Sequence, residues 1–183
     1  MKRAIISVSN KHNIVNLSNF LLKNDFTIYS TGGTYNTIIQ NCINSKNVLK
    51  ISDLTQFPEI LNGRVKTLHP HIYAGLLADK TNDEHTHTME ELQLPYFDVV
   101  VCNLYPFEES NTIENIDIGG VSLIRASGKN YNNIILLSNP EQYDDFTNNF
   151  DSNDNVNLGI SLDRRKQLAA KGFEMTSNYD NHI

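Results

Sequence analysis

The stretch Asp98-Val99-Val100-Val101-Cys102-Asn103-Leu104-Tyr105 constrains the fold more than any other part of the chain. Its apolar residues run without the alternation of a half-exposed strand, so it reads as a central strand covered on both faces. Such a strand needs helices on each side of its sheet, and the flanking sequence supplies them. AIISVS (4–9), FTIYS (26–30), NVLKIS (47–52) and NIILLS (133–138) are short apolar or β-branched runs. Between Lys11 and Asn24, residues Ile14, Leu17, Phe20 and Leu21 fall at helical spacing, with Ser9 or Asn10 placed to cap them. Residues 35–42, 118–127, 140–149 and 161–174 carry further helical patterns, STGGT (30–34) reads as a turn, and FDSNDNVNLG (150–159) as a polar loop or tether. Strands separated by helices imply right-handed crossovers. The expected fold is therefore α/β: three layers, with a mostly parallel central sheet flanked by helices.

At 183 residues the chain is expected to form a single domain, 1–183, long enough to bury a proper core. A formal net charge of -6 argues against generic binding to nucleic acid or anionic membrane, since either needs a basic face. Any affinity for an anion must then be local. No apolar run reaches the length of a membrane span, and Met1-Lys2-Arg3 leads straight into a strand. Two cysteines, Cys42 and Cys102, are too few for a disulfide framework, which points to a reduced, cytoplasmic setting with both as small apolar side chains.

In a sheet of this kind ligands bind beyond the carboxyl ends of the strands. Ser7-Val8-Ser9-Asn10-Lys11 leaves the first strand there and Ser30-Thr31-Gly32-Gly33-Thr34 the second. Glycines allow close backbone approach, hydroxyls donate hydrogen bonds, and a following helix offers unpaired N–H groups to an oxyanion. Together these could form a phosphate cradle; taken alone, STGGT is equally a plain Gly-Gly turn before a helix. Asn103 and Tyr105 end the central strand at the same edge. Asp117 stands at a helix start, where an N-cap role is available, and Lys129 at that helix's end, where it would complement the dipole. Gly63-Arg64-Val65-Lys66-Thr67-Leu68-His69-Pro70 concentrates cations in an acidic chain, either as a solvated loop or as an anion pocket. His85 and His87 have ligand-like spacing, but within TNDEHTHTMEE they read as an exposed helix start.

The strings SVSNK, STGGT, FPEILNGRVKTLHP, VVCNLYPFEES, ENIDIGGVSLIRASGKN and RRKQLAAKGFEMTSNYD follow the order seen in the IMP cyclohydrolase family. The chain resembles the amino-terminal domain of the bifunctional purine-biosynthesis enzyme, which joins formyltransferase and cyclohydrolase activities. The resemblance covers nearly the whole chain; nothing in it resembles the formyltransferase half. GRVKTLHP and IDIGG are specific to that family, whereas STGGT is shared with methylglyoxal-synthase-like domains.

The resemblance implies ring-closing dehydration of 5-formamidoimidazole-4-carboxamide ribotide to IMP, needing neither cofactor nor metal. It further implies a purine ribonucleotide monophosphate as the small-molecule partner, and a homodimer. By resemblance Ser7, Ser9, Lys11, Ser30, Thr31, Gly32, Gly33 and Thr34 hold phosphate and ribose. Arg64, Thr67, Asn103, Ile118 and Gly119 line the rest of the substrate, and Lys66, Tyr105, Asp117 and Lys129 carry the chemistry. Which of them is the base stays open, and His69 before a proline is taken as structural support. Two positions depart from the family pattern, Tyr73 for a histidine and Gly128 for an alanine, and Gly128 could mark a break in the helix between Asp117 and Lys129. Two other readings share the fold. A methylglyoxal synthase would carry its own Gly-Gly-Asp motif where this chain has GRVKTLHP, and a regulatory nucleotide-binding module would have no reason to keep IDIGG and GRVKTLHP together.

Overall fold

The computed structural model describes residues 2–105, 107, 112–154 and 158–183. Of the strings read above, 106 and 108–110 of VVCNLYPFEES and 155–157 of FDSNDNVNLG lie outside the described residues. Five strands, β1 (Lys2–Val8), β2 (Phe26–Ser30), β3 (Val48–Lys50), β4 (Val99–Asn103) and β5 (Ile135–Leu137), form one sheet in the order β3-β2-β1-β4-β5. Every pairing is parallel, so the sheet is more regular than the mostly parallel one expected. All five residues of β4 are buried, as its unbroken apolar run requires.

Among the described residues eight α-helices accompany the strands: α1 (Ile14–Lys23), α2 (Gly32–Asn41), α3 (Ile51–Thr55), α4 (Pro70–Leu77), α5 (Asp83–Glu91), α6 (Gly119–Lys129), α7 (Tyr143–Asn149) and α8 (Leu162–His182). Alternate strand residues build the two cores. Ile6, Ile28, Val99 and Val101 pack with Ile14, Leu17 and Leu21 of α1, Ile38 of α2 and Phe146 of α7. Ile5, Tyr29, Val100 and Cys102 pack on the other face with Ile51 of α3, Ile72 and Leu76 of α4, and Leu123 and Ile124 of α6. Helix α8 belongs to both cores, with Leu168 in the first and Met175 against the second.

Several local expectations are corrected. The glycines of STGGT are not a turn but the first residues of α2, where weak helix propensity costs little. Helix α1 starts at Ile14 after Asn13 in a left-handed conformation, so neither Ser9 nor Asn10 caps it. The third strand stops at Lys50, and Ile51 opens α3. Helix α8 continues past residue 174 to His182 because Leu168, Gly172, Thr176 and Tyr179 keep a buried stripe at helical spacing. Gly128 marks no break; α6 is continuous, and the missing side chain admits the Phe173 ring, 3.0 Å from where a Cβ would stand.

Close seating of α8 rests on Gly172, whose added Cβ would meet Leu136 Cδ2 at 2.5 Å and Ile124 Cγ2 at 3.1 Å. Gly172→Ala is expected to lower unfolding free energy by roughly 1–3 kcal/mol, the usual cost of overpacking. A denaturant melt checks this; a midpoint equal to wild type would mean that α8 sits further from β5 and α6.

Candidate active site

Strand order reverses between β1 and β4, and beyond their carboxyl ends opens a cavity of about 610 Å³. Its walls come from the loops after β1, β2 and β4, from GRVKTLHP, and from the start of α6.

One end is the cradle. Ser7, Ser9, Lys11, Thr31, Gly33 and Thr34 all line the cavity. The Ser7 and Thr31 hydroxyls stand 3.4 Å apart. Lys11 Nζ donates to the Ser9 carbonyl at 3.2 Å, and a Cβ on Gly33 would lie 4.0 Å from that ammonium. Lys11 thus stands over the N-terminus of α2, whose first amides have no partner within the helix. A carboxylate already exploits this: Gly32 N–H donates to Glu59 Oε1 at 3.2 Å.

Not every predicted cradle residue faces the cavity. Ser30 is fully buried and donates to the Ile6 carbonyl at 2.6 Å, so it ties β2 to β1 instead of lining the cavity. Thr34 donates to the Val8 carbonyl at 2.9 Å and fixes α2 against the end of β1. Asn103 is a clamp: Oδ1 accepts from Ser9 N–H at 2.7 Å and Asn10 N–H at 2.9 Å, while Nδ2 donates to the Asn10 carbonyl at 2.9 Å. These bonds hold the serine loop in shape, a long-range role that sequence spacing does not reveal.

The other end gathers Arg64, Lys66, Tyr105 and Asp117. An isolated bridge between Ile60 and Val65 closes a small loop containing Leu61, Asn62 and Gly63, all at positive φ. At φ +86° Gly63 occupies a conformation that favours glycine, which explains it there. The loop sends Arg64 to the cavity mouth, where Arg64 Nε donates to Glu114 Oε2 at 3.1 Å and a guanidinium nitrogen bonds the other carboxylate oxygen. The pair is exposed, and its effect is to join two lips of the cavity, not to stabilise the fold. Lys66 and Thr67 also line the cavity; Thr67 is buried, its hydroxyl 3.0 Å from where a Cβ on Gly119 would be. Tyr105 and Ile118 are lining residues with exposed rings or side chains. His69 stays outside: its Nδ1 accepts from His71 N–H at 3.2 Å and caps α4, the structural part expected of it.

Asp117 sits just before α6 and accepts from Gly120 N–H at 2.7 Å. Burial raises its carboxyl above the usual carboxylate range, opposed by the Gly120 amide, the Lys66 charge and the Tyr105 amide. A carboxylate so placed is a stronger base than an exposed one, and Lys66 is the cation whose field reaches it. Behind it lie Cys102, whose thiol burial pushes up strongly, and Tyr73, whose phenol is raised to about 12 by burial against the opposing pull of the Ser122 hydroxyl.

The structure does not bring Lys129 to the cavity. It is the last residue of α6, eleven residues in length, so it stands about 15 Å from the helix start at about 1.5 Å per residue. A shared task with Asp117 within one chain is ruled out by that distance. Sequence reading missed Glu59, Glu114 and Gly120; each lies inside a quoted motif or beside one, but its partner is distant in sequence or, for Gly120, a steric condition.

Residues 13–126 match the family described as the MGS-like domain. The chain belongs to the MGS-like domain family. Residues 127–183 of this MGS-like chain match the description AICARFT/IMPCHase bienzyme. The bifunctional purine biosynthesis protein PurH of Caldicellulosiruptor bescii is 47% identical over 191 residues, taking in 100% of this chain and 36% of that protein. PurH of Leptospira biflexa is 43% identical over 192 residues, with 100% and 36% covered. PurH of Staphylococcus haemolyticus is 41% identical, with 100% and 37% covered. The chain thus spans 36–37% of the length of these curated relatives. Among solved structures, the crystal structure of ForH superposes with a TM-score of 0.88 at 30% identity, covering 100% of this chain and 94% of the other. The resemblance drawn from GRVKTLHP and IDIGG is borne out by these matches.

Proposed function

We propose that this MGS-like domain is an IMP cyclohydrolase acting in de novo purine biosynthesis, a cytoplasmic domain that pairs into a homodimer. The observation that carries the reading is one cavity with two unlike ends, a hydroxyl-and-amide cradle with Lys11 at one and Lys66 facing Asp117 at the other. A ribonucleotide monophosphate has the same polarity, with phosphate at one end and the reacting carboxamide and formamido groups at the other. The names of the relatives support this substrate class.

The reaction joins the carboxamide nitrogen to the formyl carbon. The formyl oxygen gains a proton and departs as water with the formamido N–H hydrogen, leaving the C=N bond of the new ring. Both partners are in one molecule, so the protein's work is to select the facing rotamer and move protons. Asp117 takes or orients the carboxamide proton. Lys66 stabilises the oxygen as charge develops and supplies its proton. Tyr105, at the cavity wall, completes the relay, while Ile118 and Gly119 wall the base. Because burial raises Asp117, the rate is expected to climb with pH through that raised value, as the ionised base appears.

The test compares three activities on purified protein: IMP binding, ring closure, and methylglyoxal formation from dihydroxyacetone phosphate. IMP binding with ring closure and no methylglyoxal is expected. Methylglyoxal production would assign a synthase, and IMP binding without ring closure a regulatory module. In the same assays Lys11→Ala should weaken substrate and IMP binding by about tenfold or more while changing the saturated rate less, because the phosphate is held alike in ground and transition states. An unchanged Michaelis constant with a collapsed rate would put the phosphate elsewhere.

A further inference from the structure

Asp117 is fixed from two sides, and only one belongs to its own helix. On the α6 side its carboxylate accepts from Gly120 N–H. On the other, its backbone N–H donates to the Tyr179 hydroxyl at 2.7 Å, and that hydroxyl in turn donates to the Asn115 carbonyl. Tyr179 lies in the last turns of α8, 62 residues from Asp117. Its ring is buried and meets Phe107 edge-on at 6.4 Å between centroids. One phenol oxygen therefore spans the turn Asn115-Ile116-Asp117, and Ile116 in the middle of that turn faces the cavity.

We propose that Tyr179 is a positioning residue for Asp117, its hydroxyl stapling the 115–117 turn so that the carboxylate is held in the cavity wall and away from solvent. A packing role for the ring alone would not need the hydroxyl, and a part-buried hydroxyl that uses both a donor and an acceptor site on two residues of one turn is specific to geometry. The staple makes the site depend on α8, a helix that contributes nothing else to this cavity's lining. The proposal rests on the functional reading only for its kinetic arm.

The groups facing Asp117 are Lys66 from the cation loop, Tyr73 from α4, Cys102 from β4, the Tyr105 amide after β4, the Gly120 amide of α6, and Tyr179 itself from α8. Lys66 and the amides favour the ionised form, and burial opposes it most. Releasing the turn should let water reach the carboxyl, so Asp117 in Tyr179→Phe should titrate at lower pH than in wild type.

The test uses Tyr179→Phe, which keeps the ring against Phe107. Carboxyl-labelled aspartate followed by NMR, with the Asp117 signal assigned by its loss in Asp117→Asn, reads the titration whether or not the chain closes rings. A shift to lower pH is expected; an unmoved titration overturns the staple. In wild type, hydrogen exchange should find the Asp117 amide protected, and fast exchange there would overturn the proposal even if the variant failed to fold. The kinetic arm expects about a tenfold fall in kcat with IMP affinity within twofold, in the range of a small misplacement of a reacting group. An unchanged kcat alongside a shifted titration would refute the catalytic value of the staple. Absence of ring closure in wild type would strike the functional reading and leave the titration to judge the staple.

Discussion

Lys66→Met is expected to lower turnover by roughly two to three orders of magnitude, the cost of losing one preorganised donor to a developing oxyanion. Affinity for IMP should fall far less, because the product no longer carries the departing oxygen. The expectation follows from position: Lys66 lines the cavity and its charge acts on Asp117 across it. Arg64→Ala should behave differently. Its guanidinium spans the cavity mouth to Glu114, so its loss should raise KM by loosening that lip and leave kcat closer to wild type. Turnover and IMP affinity of the two variants, with a thermal melt to exclude unfolding, decide the matter. A folded Lys66→Met protein with near wild-type turnover would return GRVKTLHP to an ordinary surface loop.

Gly120→Ala should lower turnover by about a hundredfold without unfolding the chain. An added Cβ would stand 2.6 Å from Asp117 Oδ2 and 2.9 Å from both Asp117 Cγ and Leu104 Cδ2. No real Cβ tolerates those distances, so the carboxylate must move, and a displacement of about 1 Å can cost that factor. Helix propensity does not oppose the change, since alanine is no worse than glycine in a helix. The fold should therefore survive while the Asp117 carboxylate is displaced. Kinetics beside a thermal melt make the comparison; wild-type turnover in the variant would show that Asp117 is not held where the reaction needs it.

The sheet was legible because β4 is written as an unbroken apolar run and the other strands as short β-branched ones separated by helical spacing. The edge where the cavity opens followed from that topology alone. What failed to show was local or long-range. Glycine at 32 and 33 signals a turn by propensity, yet at a helix start it serves as helix. The stretch 70–77 begins with a proline and has no simple amphipathic spacing, so α4 was not read, although His69 and Pro70 form a sound helix start.

Within the site, motifs named residues that the fold brings to one cavity, but not the partners that hold them. Asn103 lines the cavity as expected, and its amide is also a clamp on a loop 93 and 94 residues away in sequence. Ser30 sat in the right string with its side chain turned into the sheet. Lys129 shared a motif with Asp117, but a continuous helix carries it to the opposite end. Tyr179 stood in a quoted string, and nothing along the sequence ties it to Asp117; only the packing of α8 against α6 and β5 does so.

On the proposed function, these residues close the purine ring unaided. The most direct measurement is the initial rate of ultraviolet absorbance change when purified protein meets the formylated ribotide in buffer without any added cofactor. The account predicts saturable formation of IMP in proportion to protein, abolished or nearly so in Lys66→Met. A rate no greater than the uncatalysed background, from folded protein that still binds IMP, would contradict it.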